Sequence, residues 1–268
     1  MDYTFKSSTR NLTLGLVVLG ILSILYAIFI DHTPGQRIWA NMLVNSYFFV
    51  GIGLMGTLWM AIQYVSEAGW SSGFKRVPEA VSQFLLVGGP ILLITLIGGS
   101  HSLGWHHIYH WMDPEIMNPE SSHYDSIIAG KAAYLNEPFF FLRSVLYIGI
   151  WVAFTIFFRK ASLKEDLEGG VVIHKRNYGY AAAFLVFYGV TSSTASWDWM
   201  MSIDTHWFST LFGWYNFATM FVTGITMFAL ITIGLKRNGY MEHINEEHIQ
   251  DLGKFMFGAS VFWGYLWF

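Results

Sequence analysis

Apolar residues along this chain gather into seven long runs, at about 12–30, 43–65, 80–99, 138–158, 178–197, 207–235 and 252–268. Polar and charged residues collect between them. A run of about twenty apolar residues is what a helix needs to cross the hydrocarbon of a bilayer. The pattern therefore predicts an all-α fold: one polytopic transmembrane helix bundle over residues 1–268, with six complete spans and the start of a seventh. The seventh run is still apolar at Phe268, so we expect the natural chain to continue through further spans. The first run follows Lys6 and Arg10 and lacks a small-residue cleavage site, so it reads as a span rather than a removable signal peptide.

Within the runs a few positions stand out. Gly51, Gly53 and Gly56 lie along the second, where small residues permit close approach of helices in lipid. Gly88, Gly89 and Pro90 interrupt the third, and a proline there is expected to kink the helix. Arg143 lies near the start of the fourth. Lys6, Arg10, Lys75, Arg76, Arg159, Lys160, Lys164, Lys175, Arg176, Lys236 and Arg237 fall on one side of the alternating spans. The other side holds only Arg37 and Lys131. Basic residues favour the cytoplasm, so the N-terminus is expected inside. The connection 100–137 and the turn between the fifth and sixth spans then share the outer face.

Composition narrows the classes. Hydrophobic residues make up 54% of the chain and charged residues only 12%, about half what soluble domains carry. The formal net charge of −3 comes without a basic block, which gives no reason to expect nucleic acid as a partner. Cysteine is absent, which excludes disulfides and cysteine-ligated iron–sulfur clusters within these residues.

The densest chemistry lies at 191–207, where Asp198, Asp204, His206, Trp197, Trp199 and Trp207 crowd the turn between two spans. Acidic groups at a membrane face are costly unless paired, hydrated or used. Against this stands a plainer reading, in which the tryptophans anchor the interface and Asp and Ser shape the turn. An axial-histidine haem site is rejected, because no histidine lies within a span; His101 stands at a helix end and the others are in loops. His106 and His110 are four apart with His107 beside them, but no matching carboxylate or cysteine spacing accompanies them, so no metal site is assigned. A quinol site needs hydrogen-bond acceptors for two hydroxyls, an aromatic slot and a route for protons. Asp198, Asp204 and His206 as a proton relay, with His101, Trp105, Trp197 and Trp207 as a pocket, meet those needs in kind. Asp204 and His206 are expected to act together at the mouth of spans five and six. The alternative is that Asp204 only caps the sixth span.

The residues S-W-D-W-M-M-S-I-D-T-H-W-F-S-T-L-F-G-W-Y at 196–215, with G-G-S-H-S-L-G-W-H-H at 98–107, resemble the NrfD/polysulfide-reductase-like membrane subunits. Among these the similarity is to the ActF-like branch of bacterial alternative complex III, a quinol:cytochrome c or quinol:oxidase oxidoreductase. The resemblance implies a multi-pass subunit of the bacterial inner membrane, of eight to ten spans, without a redox centre of its own. It implies a paired ActC-like membrane subunit, a periplasmic iron–sulfur subunit, c-type cytochrome subunits and a terminal oxidase as partners. Menaquinol or ubiquinol would be the substrate of the complex, with iron–sulfur clusters and haem c in the partners. In that family the quinol site is usually assigned to the paired subunit, which would leave this chain as scaffold or proton path. A secondary transporter or ion-conducting protein is the rival reading, for which broken helices with polar residues at the bilayer midplane would speak.

Overall fold

The computed structural model describes residues 6–30, 36–101, 108–169 and 171–267, and among these the secondary structure is entirely helical. The helices are α1 (Ser7–Ile30), α2 (Gln36–Val65), α3 (Arg76–Ser82), α4 (Leu85–Gly98), α5 (Pro114–Met117), α6 (Ser126–Ala129), α7 (Glu137–Glu168), α8 (Val171–Trp199), α9 (Phe212–Arg237) and α10 (Glu246–Tyr265). Counting α3 and α4 as one segment, Arg76–Gly98, five helices are long and apolar enough to cross a membrane; the others are α1, α2, α7 and α9. The run 178–197 and residues 252–265 of the last run are helical too, but fall outside this group. Tyr, Gly, Ser and Thr dilute the apolar character of α8, and Glu246, Glu247, Asp251 and Lys254 fill the first turns of α10.

α2 is the centre of the fold. It packs against α3, α4, α7, α8 and α9, and every residue from Val50 through Ala61 is buried. That stretch is apolar or small on almost every side, as a helix segment inside a larger body must be. Its backbone comes close to another at Gly56, where an added Cβ would collide with the Pro78 carbonyl oxygen and lie 2.8 Å from the Ser82 nitrogen. The expected packing role of the glycines in α2 is met there. α1 is the opposite case: none of its residues is buried, and Leu12, Leu16, Leu19 and Phe29 are between 60% and 84% exposed. Each such side chain left in water costs roughly 1.5–3 kcal/mol relative to burial. The arrangement is compatible with a protein embedded in a membrane.

The boundaries differ from the apolar pattern in three places. The helix holding Pro90 runs unbroken from Leu85 to Gly98, and the irregularity lies earlier, at Gln83 and Phe84. The glycine before Pro90 is a site of close packing instead. A Cβ on Gly89 would stand 2.8 Å from Ile148 Cγ2 of α7. α7 continues ten residues past the predicted end at 158, carrying Arg159, Ser162, Glu165 and Asp166. The sixth apolar helix starts at Phe212 rather than at Trp207, with Leu211 as an N-cap that makes no side-chain bond. Asp204 does not cap it.

Candidate functional site

Asp198, in the last turn of α8, is fully buried and faces Arg143 of α7. The pairing is bidentate: Nε donates to Oδ2 at 2.7 Å and Nη2 to Oδ1 at 2.9 Å. The third guanidinium nitrogen, Nη1, donates to the Tyr134 carbonyl at 3.2 Å. The Tyr134 and Phe139 rings lie over the guanidinium carbon at 4.0 and 4.1 Å. Fork-to-fork geometry of this kind fixes two helices against each other as well as neutralising two charges. Trp199 completes the seal, donating through Nε1 to Ser144 Oγ at 2.8 Å and packing edge-on against Trp151.

The turn after α8 is held by the connection 100–137. Tyr109 donates to the Trp199 carbonyl at 2.9 Å, and Lys131 Nζ donates to the Thr205 carbonyl. His206 Nε2 stands 2.7 Å from Asp125 Oδ2. The two segments expected to share one face therefore do meet. The expected pairing of His206 with Asp204, however, is replaced. Asp204 turns back on its own backbone, accepting from the His206 N–H at 3.2 Å, and the imidazole goes to Asp125. An aspartate two residues before its acceptor's donor closes an Asx turn, which draws the carboxylate away from the ring. Asp125 also caps α6, accepting from Ile127 and Ile128 at 2.8 and 3.1 Å. The Ile128 N–H, joined by His206 and Ile127 and opposed by desolvation, holds the Asp125 carboxyl below the usual carboxylate range.

Of the other expected pocket residues, His101 is half-buried beyond α4, and Trp207 is 50% exposed and edge-on to Phe212. Trp197 is half-buried, its Nε1 without a partner among the described residues. Trp105, His106 and His107 lie outside the described residues. Among the described residues no group of three or more metal-ligating side chains comes together.

A second cluster lies at the opposite end, where the basic residues gather. Glu79 of α3 is fully buried, and one of its carboxylate oxygens receives both Arg76 and Arg159 while the other receives the Ser162 hydroxyl. Beside it Glu165 accepts from Tyr64 at 3.1 Å and from Lys75 at 3.2 Å, with His174 Nδ1 at 3.2 Å. A cavity of about 210 Å³ opens here, lined among others by Trp59, Gln63, Tyr64, Ser71, Lys75, Glu79, Glu165 and His174. Trp59, one of its lining residues, has a buried Nε1 with no partner among the described residues. A cavity of this size has room for several waters. Arg143 and Arg159, the α7 partners of the two buried carboxylates, are about 24 Å apart along the helix, close to a bilayer's hydrocarbon thickness of about 30 Å.

Between the two clusters α7 carries polar groups on its buried face. Ser144 binds Trp199; Trp151 Nε1 donates to Thr191 Oγ1 at 3.0 Å; Thr155 Oγ1 meets Thr57 Oγ1 at 2.6 Å; Ser162 reaches Glu79. Spacings of four and seven keep these positions on one side of a helix. Sequence reasoning counted Arg159 and Lys75 only as charges that set orientation, and it passed over Glu79 and Glu165. The available signal was the run Arg143, Ser144, Trp151, Thr155, Arg159, Ser162, Glu165, a polar stripe at helical spacing through an apolar segment.

The fold and these clusters define an all-helical protein with several helices suited to a membrane and a buried carboxylate near each end. The chain matches no protein-family model, and no curated protein matches it.

Proposed function

We propose that this chain is an integral membrane subunit of a quinol-oxidising respiratory complex of the alternative complex III kind, an NrfD-like, ActF-like subunit. In it the chain serves as scaffold and carries a proton path along α7. The proposal places six spans and the start of a seventh in the bacterial inner membrane, with the N-terminus in the cytoplasm. Its partners are a paired ActC-like subunit, a periplasmic iron–sulfur subunit, c-type cytochromes and a terminal oxidase. Those partners hold the iron–sulfur clusters and haem, and menaquinol or ubiquinol is the substrate.

One observation carries the proton-path part: the buried polar stripe of α7 between Asp198 and Glu79. Ionisable and hydroxyl-bearing side chains inside a membrane bundle are costly and are kept for function. Carboxylates and an imidazole beside a cavity that admits water are groups that can relay protons. The path begins at the Glu165 and Glu79 cavity and runs past Thr155 and Trp151 to Ser144. Gaps of about 6 to 10 Å along α7 fall to water to bridge. This moves the proton chemistry away from Asp204 and His206, which lie in an exposed turn.

The transporter reading asks for charge on a broken helix at the midplane. The break at Gln83 and Phe84 does adjoin Glu79. From Gly98 back to Glu79 is about 28 Å of helix, however, which puts that carboxylate at a membrane edge. Purification from native membranes, followed by identification of the proteins that accompany the chain, tests the assignment. Iron–sulfur and multihaem proteins should co-purify with quinol oxidation activity. A cofactor-free, solitary chain that moves a solute would contradict it.

A further inference from the structure

A larger opening than the Glu79 cavity lies elsewhere among the described residues. It is a crevice of about 840 Å³ between α1 and α2. Its α1 wall, within 20–30, is mostly apolar or small, with Tyr26 also on it. The α2 wall carries a polar stripe at every fourth position, Arg37, Asn41 and Asn45, all exposed. Asn41 Nδ2 donates to the Arg37 carbonyl at 2.7 Å and Asn45 Nδ2 to the Asn41 carbonyl at 2.8 Å. Each amide thereby keeps one N–H and its oxygen without a partner among the described residues, and Arg37 makes no ion pair among them. Polar groups on a lipid-facing helix stay there only when something answers them.

From these we infer that the α1–α2 crevice is a binding site for one anionic phospholipid. Arg37 stands near the start of α2, at the level of a headgroup, and its charge selects a phosphate that no neutralising choline accompanies. From Arg37 to Asn45 the stripe descends about 12 Å, nearly the depth of one hydrocarbon leaflet, about 15 Å. The order of chemistry down the crevice is that of a phospholipid. The cation comes first, the Asn41 N–H follows at the depth of the ester carbonyls, and Ile24, Ala27, Ile38 and Met42 lie beside the acyl chain. The lipid also explains how α1, which buries no residue of its own, is held beside the bundle. The inference needs α1 and α2 to lie in a bilayer and is independent of quinol chemistry.

Native mass spectrometry of the purified protein, with phosphatidylglycerol and phosphatidylcholine of identical acyl chains added in equal amounts, tests it. One phosphatidylglycerol should be retained per chain, at least about fivefold over phosphatidylcholine, since one interfacial arginine contributes about 1 kcal/mol. Arg37→Gln should abolish that preference and Arg37→Lys should keep it, with unchanged thermal melting showing that both variants fold. Equal retention of the two lipids, or a preference that survives Arg37→Gln, would overturn the site. A benzophenone amino acid at Ala27, photolysed in native membranes, should yield a lipid adduct; a cross-link to a partner's helix there would assign the crevice to protein instead.

Discussion

Asp198 and Glu79 are both fully buried carboxylates held by arginine, and they differ in what surrounds the pair. Asp198 has a single guanidinium in matched geometry, roofed by two rings; Arg143 itself is only 7% exposed. Glu79 shares one oxygen between two arginines whose side chains are 39% and 32% exposed, and it lines a cavity with Glu165, His174 and Lys75. A sealed pair holds two helices in register. A pair opening on water beside an imidazole and a second carboxylate can exchange protons. On the proposed reading, burial of a charge alone does not mark the reactive end; a cavity and further titratable groups beside it do.

The sealed pair should give the largest effect. Asp198→Asn leaves Arg143 buried without its counter-charge and should cost about 3–5 kcal/mol, read as a lowered melting temperature in detergent. Adding Arg143→Met should recover most of that loss, and recovery of assembly with it would confirm a purely structural pair. Next comes the close approach at the other end. Gly56→Ala pushes a methyl into the Pro78 carbonyl and should cost about 1–3 kcal/mol while moving Glu79 off its partners. Glu79→Gln keeps the volume and leaves two arginines that still reach solvent. It should slow quinol oxidation in the assembled complex at least about tenfold, 1.4 kcal/mol in the barrier, with assembly retained.

The smallest effect belongs to the loops. Asp125→Asn should leave global unfolding unchanged and raise hydrogen exchange only around 125–129 and 199–211. Because the folded Asp125 carboxyl lies below its usual range, its contribution is present above that range and is lost as pH falls through the lowered value. Wild-type protein should show the same local loosening in acid and none toward neutral pH.

Much of this architecture was legible in the sequence because apolar runs are a long-range signal that tertiary contacts seldom override. Segments 12–30, 43–65 and 138–158 all lie within helices of the fold. The boundary at 207 was not legible, because Trp207 and Phe208 are apolar yet half or more exposed in a turn set by Asp204. At the hairpin, Asp198 and Asp204 look alike in sequence, and only the distant Arg143 and Asp125 separate a sealed pair from an exposed turn. Glu79 and Glu165 were hidden for the complementary reason. They sit among Lys75, Arg76 and Arg159, which the positive-inside rule accounts for without asking what they bind.

The central claim is that protons are exchanged at the Glu79 and Glu165 end and not at Asp198. Turnover of the assembled complex in native membranes tests it directly, in Glu79→Gln and Glu165→Gln beside protein carrying both Asp198→Asn and Arg143→Met. The account predicts slowing of at least about tenfold in either glutamate variant and turnover near wild type in the double variant. Wild-type turnover in both glutamate variants, with loss only in the double variant, would contradict it.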